Sequence, residues 1–173
     1  MERQELEQIV SSVVNRIQSG TAEQTIAGKA PLQNKNISLW AAKALIEKVE
    51  AKAKSMGVNA VIAVSNAGAN PVAIHCMDNS YIASYDIALQ KAYTVVALKM
   101  STAKLKGLSQ PGEPLYGIQH TNQGRIVIFG GGEPLVVGDD IIGGLGVSGG
   151  SEEQDTALAE YGKEVLKEVI SWL

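Results

Sequence analysis

The sequence GGGEPLVVGDDIIGGLGVSGG, from Gly130 to Gly150, decides the fold of this 173-residue chain. Two short apolar runs, Leu135–Val137 and Ile141–Ile142, flank the tripeptide Gly138–Asp140. Apolar, β-branched runs around a turn that needs unusual backbone angles are typical of a β-hairpin. Glycines within such strands mark bulges, or they let a second backbone or a ligand approach closely. The stretch therefore predicts a glycine-rich hairpin.

The hairpin leads directly into a predicted helix over residues 151–172. Ser151 is a candidate N-cap, and Gln154 stands three residues later, which is the spacing of a capping box. Backbone N–H groups at the start of a helix can bind an anion. This junction is therefore a candidate site for an anionic ligand.

Two enzyme motifs match this window, but neither has the partners that it requires. Gly144–Gly149 fits G-x-G-x-x-G, yet only one helix follows, so no βαβ unit can be completed. Gly146–Gly150 fits G-x-S-x-G, which needs an acid and a histidine downstream of the serine. His75 and His120 both lie upstream. A tight strand-to-helix turn is the better prediction for Ser148.

The composition narrows the classes of function. A net charge of −3 gives no electrostatic basis for binding nucleic acid. The single cysteine, Cys76, excludes an intramolecular disulfide framework and a cysteine zinc cluster, and it suits a reducing compartment. No apolar run reaches the length of a membrane span, and residues 1–18 lack the apolar core of a secretory signal. We expect a cytoplasmic protein that binds neither nucleic acid nor a membrane.

Residues 1–18 predict a short amphipathic helix. It can dock on its own domain, or it can bind a partner in a groove. Residues 19–37 contain few apolar residues and show no periodicity, so they predict a flexible linker that favours the partner-binding hypothesis. The predicted apolar stripe of the helix consists of Leu6, Ile9, Val10, Val13, Val14 and Ile17.

Residues 38–173 predict one folded domain in the element order α-β-β-α-β-β-β-α. Three consecutive strands near the end favour a five-stranded, mostly antiparallel sheet with packed helices, which is an α+β fold. Ser38 is the candidate N-cap of the first helix and Gly57 ends it. The predicted elements between that helix and the hairpin are strands over 58–64 and 71–77, a helix over 82–106 with a break near Met100–Thr102, and a strand from Arg125 to Phe129.

The opening segment MERQELEQIVSSVVNRI resembles the short helices that begin many bacterial microcompartment cargo proteins, where a linker and a folded domain follow. This resemblance to an encapsulation peptide implies binding to shell or cargo proteins. It also implies a location in the lumen of a bacterial microcompartment.

The rest of the chain resembles the GlcG/HbpS family, which includes heme-binding and "heme-degrading" proteins and the C-terminal domain of PduO proteins. The resemblance rests on five motifs, which are AVSNAGANPVAIHCMD, DIALQKA from Asp86 to Ala92, Thr102, Gly131-Gly132-Glu133-Pro134, and GVSG leading to Gln154-Asp155. It implies a sheet covered by helices, and homo-oligomers built from that unit.

The resemblance also implies a ligand pocket between the long helix and the hairpin. The matching positions are Met77, Asp78, Lys91, Thr102, Gly131, Gly132, Glu133 and Pro134. Thr102 stands where a relative offers an oxygen ligand to iron. Residues 36–44 contain no histidine, although other relatives use one there. Asp78 can instead cap the next helix, and Lys91 can instead be a solvated lysine.

Three functions follow from these patterns. The first, which the two resemblances imply, is a binding protein for heme or a related tetrapyrrole or small anion, with a cobalamin-related ligand as a further option, that is microcompartment cargo. Alternatively, it is an enzyme acting on heme or on a small organic acid or aldehyde, although no acid–base pair, metal-ligand spacing or activated nucleophile is apparent. The third hypothesis is an oligomeric assembly protein with a vestigial pocket.

Overall fold

The computed structural model describes residues 36–170, so the predicted N-terminal helix with its Leu6–Ile17 stripe lies outside the described residues. Two single-turn 3-10 helices, Ile118–His120 and Asn122–Gly124, interrupt the long loop before the hairpin. The regular elements are α1 (Leu39–Ser55), β1 (Val61–Asn66), β2 (Pro71–Cys76), α2 (Ile82–Leu98), α3 (Thr102–Leu108), β3 (Gly132–Val137), β4 (Asp140–Ser148) and α4 (Glu152–Ile170).

The four strands form one antiparallel sheet in the order β2-β1-β4-β3. The predicted glycine-rich hairpin is confirmed as β3 and β4, and Gly138 takes φ +60° at its turn. β4 continues through the glycines to Ser148, which pairs with Val61 of β1. The hairpin therefore supplies one central and one edge strand.

The predicted strand from Arg125 to Phe129 is wrong, and the sheet of the described residues has four strands rather than five. Side chains of α2 hold this segment in place of strand pairing. The Arg125 guanidinium lies 3.7 Å from the Tyr93 ring centroid, and Val127 N donates to Thr94 Oγ1 at 3.0 Å. This segment has strand propensity but lies beside α2 without regular secondary structure.

The predicted break in the long helix is confirmed, and it separates α2 from α3. Lys99 takes a left-handed conformation with φ 54°, which stops α2. Ser101 then caps α3, because its Oγ accepts a hydrogen bond from Lys104 N at 3.2 Å. The break directs α3 towards β3.

Helices α1 and α4 pack together on one face of the sheet and enclose the main hydrophobic core. Ser38 is confirmed as the N-cap of α1, because its Oγ accepts a hydrogen bond from Ala41 N at 3.1 Å. The core already includes Ile37, whose N donates to Ile142 O at 2.8 Å. The folded region therefore extends into the end of the predicted linker.

Helix α2 covers the opposite face, and glycines of β4 let it approach closely. Alternation along β4 places Gly144, Gly146 and Ser148 towards α2. A Cβ built on Gly146 would lie 2.0 Å from Ala88 O and 2.7 Å from Ala92 N. The glycines predicted to allow a close approach therefore admit the backbone of a helix.

We expect Gly146→Ala to destabilise the fold by about 3 kcal/mol or more, because the new methyl group collides with rigid helix backbone. Gly107→Ala is the matched control, since Gly107 lies in α3 with no atom within 4 Å of the added Cβ. That control should be neutral, or stabilising by up to about 1 kcal/mol. Urea unfolding of both variants is the measurement, and equal stabilities would contradict the close packing.

Candidate functional site

A buried lysine joins three elements where β4 ends and α4 begins. The Lys91 side chain of α2 is 0% exposed. Its Nζ donates to Val147 O at 2.7 Å and to Asp155 Oδ2 at 2.9 Å. The second Asp155 oxygen accepts from Gly150 N at 2.9 Å. Lys91 is therefore an internal ion-pair partner, and the alternative prediction that it is a solvated lysine is wrong.

The ion pair is almost completely removed from water, since the exposed fractions of the two side chains are 0% and 6%. Burial lowers the pKa of Lys91 below its ordinary value, and the charge of Asp155 only partly opposes this shift. A desolvated amine with a lowered pKa is more often neutral than a surface lysine, and only a neutral amine is a nucleophile.

The start of α4 is fixed by its own side chains. Ser151 Oγ accepts from Gln154 N at 3.3 Å, and Ser151 N donates to Gln154 Oε1 at 2.9 Å, which confirms the predicted capping box.

Glu152 accepts from Gly130 N at 2.9 Å and pairs with Lys106 at 2.6 Å. Hydrogen bonding to Lys106 holds the pKa of Glu152 below its usual range. These contacts anchor the segment before β3 to the helix.

A cavity of about 280 Å³ opens directly above the ion pair. Phe129 and Asp155, which line it, both contact the Lys91 amine, and the Phe129 ring centroid lies 4.9 Å from Nζ. Ser148 Oγ donates to Ser84 Oγ at 3.1 Å in the same wall. The lining residues are Tyr81, Ala83, Ser84, Ile87, Phe129, Ser148, Gly149, Gly150, Glu152 and Asp155.

A second cavity, of about 400 Å³, adjoins the first. Tyr81 lines both cavities and is 72% exposed. Asn59 and Asn79 give the second cavity a more polar wall than the first. The two cavities together form a cleft at the end of the sheet, with an apolar and a polar half.

The structure brings four of the predicted site residues together. Gly132 N donates to Thr102 Oγ1 at 2.9 Å, and Thr102 is fully buried. A Cβ on Gly131 would lie 2.6 Å from Lys91 Nζ, and Gly131 has φ +104°. Glycine is thus required where the chain passes the amine. Thr102 lines neither cavity described above, although it lies close to Lys91 through these glycines.

The other predicted site residues lie apart from this group. Glu133 points to the opposite face of the sheet, where its Oε2 accepts from Lys163 of α4 at 2.8 Å. Pro134 follows it in β3. Met77 Sδ accepts from Ala60 N at 3.4 Å, and the exposed Asp78 follows it, at the far edge of the sheet.

The two histidines and the cysteine do not line the cleft. His75 Nδ1 lies 2.8 Å from Glu50 Oε1, and Cys76 and His120 are exposed. Within residues 36–170, no group of three or more His, Cys, Asp or Glu side chains could hold a metal ion. None of the helices in this part of the chain combines the length and apolar composition that a bilayer span requires.

Sequence reasoning missed four residues of the cleft, namely Tyr81, Ser84, Phe129 and Asp155. Asp155 was part of a recognised motif, but only the fold shows that it meets Lys91, 64 residues away along the chain. Ser84 and Lys91 are seven positions apart on α2, which places them on one helix face. That spacing is the signal in the sequence that could have joined them.

Comparison with known proteins identifies relatives over most of the folded domain. Residues 37–164 match the family described as haem degrading protein HbpS-like. A 15.0 kDa protein of Citrobacter freundii from the dhaT-dhaS intergenic region is 45% identical over 77% of this chain and 94% of its own length. The corrinoid adenosyltransferase PduO of the same organism is 39% identical over 63% of this chain, but the match spans only 32% of PduO.

Solved structures agree with the family match. The crystal structure of the Klebsiella pneumoniae protein ORFY has a TM-score of 0.76 and 40% identity, and the alignment covers 80% of this chain and 96% of ORFY. The PduOC:heme complex has a TM-score of 0.72 and 34% identity, with coverage of 75% and 94%.

We expect Lys91→Met to destabilise the fold by about 3–5 kcal/mol, because it leaves the Asp155 charge buried without a partner. Lys48→Met is the matched control, since the Lys48–Glu168 pair has exposed fractions of 41% and 63%. That variant should lose at most about 1 kcal/mol. Urea unfolding of both variants tests this, and equally small losses would contradict the buried pair.

Proposed function

The chain belongs to the HbpS-like family, and on that basis we propose that it binds heme or a closely related tetrapyrrole in the cleft at the end of the sheet. The observation that supports this proposal most strongly is the likeness to a PduOC domain solved as a heme complex. The cleft in this chain offers both apolar and polar lining residues to such a ligand.

The residues of the cleft fit a heme. Ile87 and Phe129 offer an apolar wall to a flat macrocycle, and Asn59 and Asn79 offer polar groups to its carboxylates. Tyr81 lines both cavities and carries a phenol oxygen, and tyrosine is a known axial ligand of heme iron. Bound there, heme would supply a redox-active iron centre.

Tyr81 replaces Thr102 as our first candidate for the iron ligand. The Thr102 hydroxyl is fully buried and already accepts a hydrogen bond from Gly132 N, whereas the Tyr81 side chain is 72% exposed at the cleft. A contribution of Thr102 and Lys91 to heme binding stays a prediction. Because both residues lie beneath the cleft, we expect them to support its floor and not to contact the ligand directly.

We further propose that residues 1–18 direct the chain to the lumen of a bacterial microcompartment through contacts with shell or cargo proteins. The support is the amphipathic pattern of this segment together with the long polar stretch that follows it. A cytoplasmic location, within or outside such a compartment, is consistent with the composition.

Homo-oligomer formation is part of the same proposal. Exposed apolar side chains cluster at the start of α2, where Ile82 is 96% exposed and Tyr85 is 45% exposed. Contiguous apolar surface of this kind marks protein interfaces.

Three alternatives stay predictions from the sequence. They are a cobalamin-related ligand, an enzymatic activity on heme or on a small organic acid or aldehyde, and an assembly role with a vestigial pocket.

A hemin titration followed in the Soret region tests the ligand. We expect a stoichiometric spectral shift, with affinity about tenfold lower in Tyr81→Phe because that variant loses only the phenol oxygen. Tyr116→Phe is the matched control, since Tyr116 is 65% exposed and lines neither cavity. The absence of a spectral shift would overturn the heme proposal. A shift that is unchanged in Tyr81→Phe but abolished in Thr102→Ala would overturn Tyr81 as the iron ligand.

Deletion of residues 1–18 tests the targeting proposal. The melting temperature should stay within about 2 °C of the intact chain if the segment serves a partner, whereas the loss of a docked helix would lower it by several degrees. Co-purification with microcompartment shells should disappear in the same variant. A large fall in melting temperature with shell association unchanged would contradict the proposal.

A further inference from the structure

The Lys91 amine lies one layer of atoms below the smaller cavity. Both groups that separate it from the cavity, the Phe129 ring and the Asp155 carboxylate, touch the amine and line the cavity. The Phe129 side chain is 38% exposed and belongs to the irregular segment before β3. For a ligand in the cavity to reach the amine, this ring would have to move aside.

The cavity gathers the chemical groups of a carbonyl-binding site around this amine. Asp155 can accept and return a proton, and the Ser84–Ser148 hydroxyl pair can donate to a carbonyl oxygen. The heme proposal assigns no reaction to any of these groups. These groups line a cavity beside one buried amine whose only role described so far is structural.

We propose that Lys91 captures a small aldehyde from this cavity as a reversible imine. This inference goes beyond heme binding and does not depend on it. Desolvation is the means by which other lysines become nucleophilic towards carbonyl compounds, and the complete burial of Lys91 provides it here.

The reaction balances without an additional reagent. The ammonium first passes one proton to the Asp155 carboxylate, and the neutral nitrogen then bonds to the carbonyl carbon. The carbonyl oxygen takes a proton, and a second proton transfer lets it leave as one water molecule. The imine that remains is cationic when protonated, so it keeps the ion pair with Asp155 that the fold requires.

The cavity has room for a small aldehyde. Its volume of about 280 Å³ lies just below the range of sites for drug-sized ligands, so it admits a molecule of a few carbon atoms with space to spare. Ala83, Ile87 and Phe129 give it an apolar wall, which suits an alkyl chain.

The test is reductive trapping of the full-length protein with acetaldehyde and a limiting amount of sodium cyanoborohydride. Hydride transfer to the imine carbon leaves an ethyl group on the nitrogen, which peptide mass mapping locates. We expect Lys91 to be ethylated at least tenfold faster than the exposed Lys104 and Lys167. Labelling of these surface lysines with Lys91 unmodified would overturn the proposal.

Two variants make the result independent of folding defects. Phe129→Ala removes the ring above the amine and should speed ethylation of Lys91 severalfold, whereas Lys104→Arg should leave it unchanged. Failure of Phe129→Ala to be labelled at Lys91 would also overturn the proposal. Because trapping needs no heme and the Soret titration needs no aldehyde, each proposal can fail while the other stands.

Discussion

One buried ammonium group connects the elements that form the cleft of this domain. Lys91 extends from α2 past the end of β4 to the first turn of α4, and it bonds to both. Leaving any partner unpaired would cost several kcal/mol, so the three elements are held in one arrangement. The cleft above the lysine takes its shape from that arrangement.

The glycines around Lys91 make this junction geometrically feasible. Gly146 brings the α2 backbone into contact with β4, and Gly131 leaves room for the amine itself. Because these positions have no side chains, the helix lies close enough to the sheet for a lysine to reach across it. The concentration of glycine that is so conspicuous in the sequence is therefore a requirement of packing.

The sequence predicts much of this architecture, because its signals are local. The hairpin, the capping box at Ser151 and the break after Leu98 all depend on neighbouring residues. Residues 125–129 were predicted wrongly because their apolar, β-branched pattern is the same whether the partner is a strand or the side of a helix. The ion pair between Lys91 and Asp155 is non-local, so spacing alone could not reveal it.

The same non-locality explains why the candidate site shifted. The resemblance to relatives identified Lys91, Thr102 and the adjacent glycines, which do lie together beneath the cleft. The residues that line the cleft, above all Tyr81 and Phe129, come from the helix start and from an irregular segment. Such segments carry no periodic pattern, and their relation to the buried pair appears only in the folded chain.

The most direct test of this account is the protonation of Lys91 in the intact protein. NMR titration of the lysine side chains, with the Lys91 signal assigned from its loss in Lys91→Arg, measures it. We predict a pKa below the ordinary 10.5 for Lys91 and slow exchange of its ammonium protons with water. A signal that titrates at the ordinary pKa of 10.5 would contradict the buried ion pair and the cleft built on it.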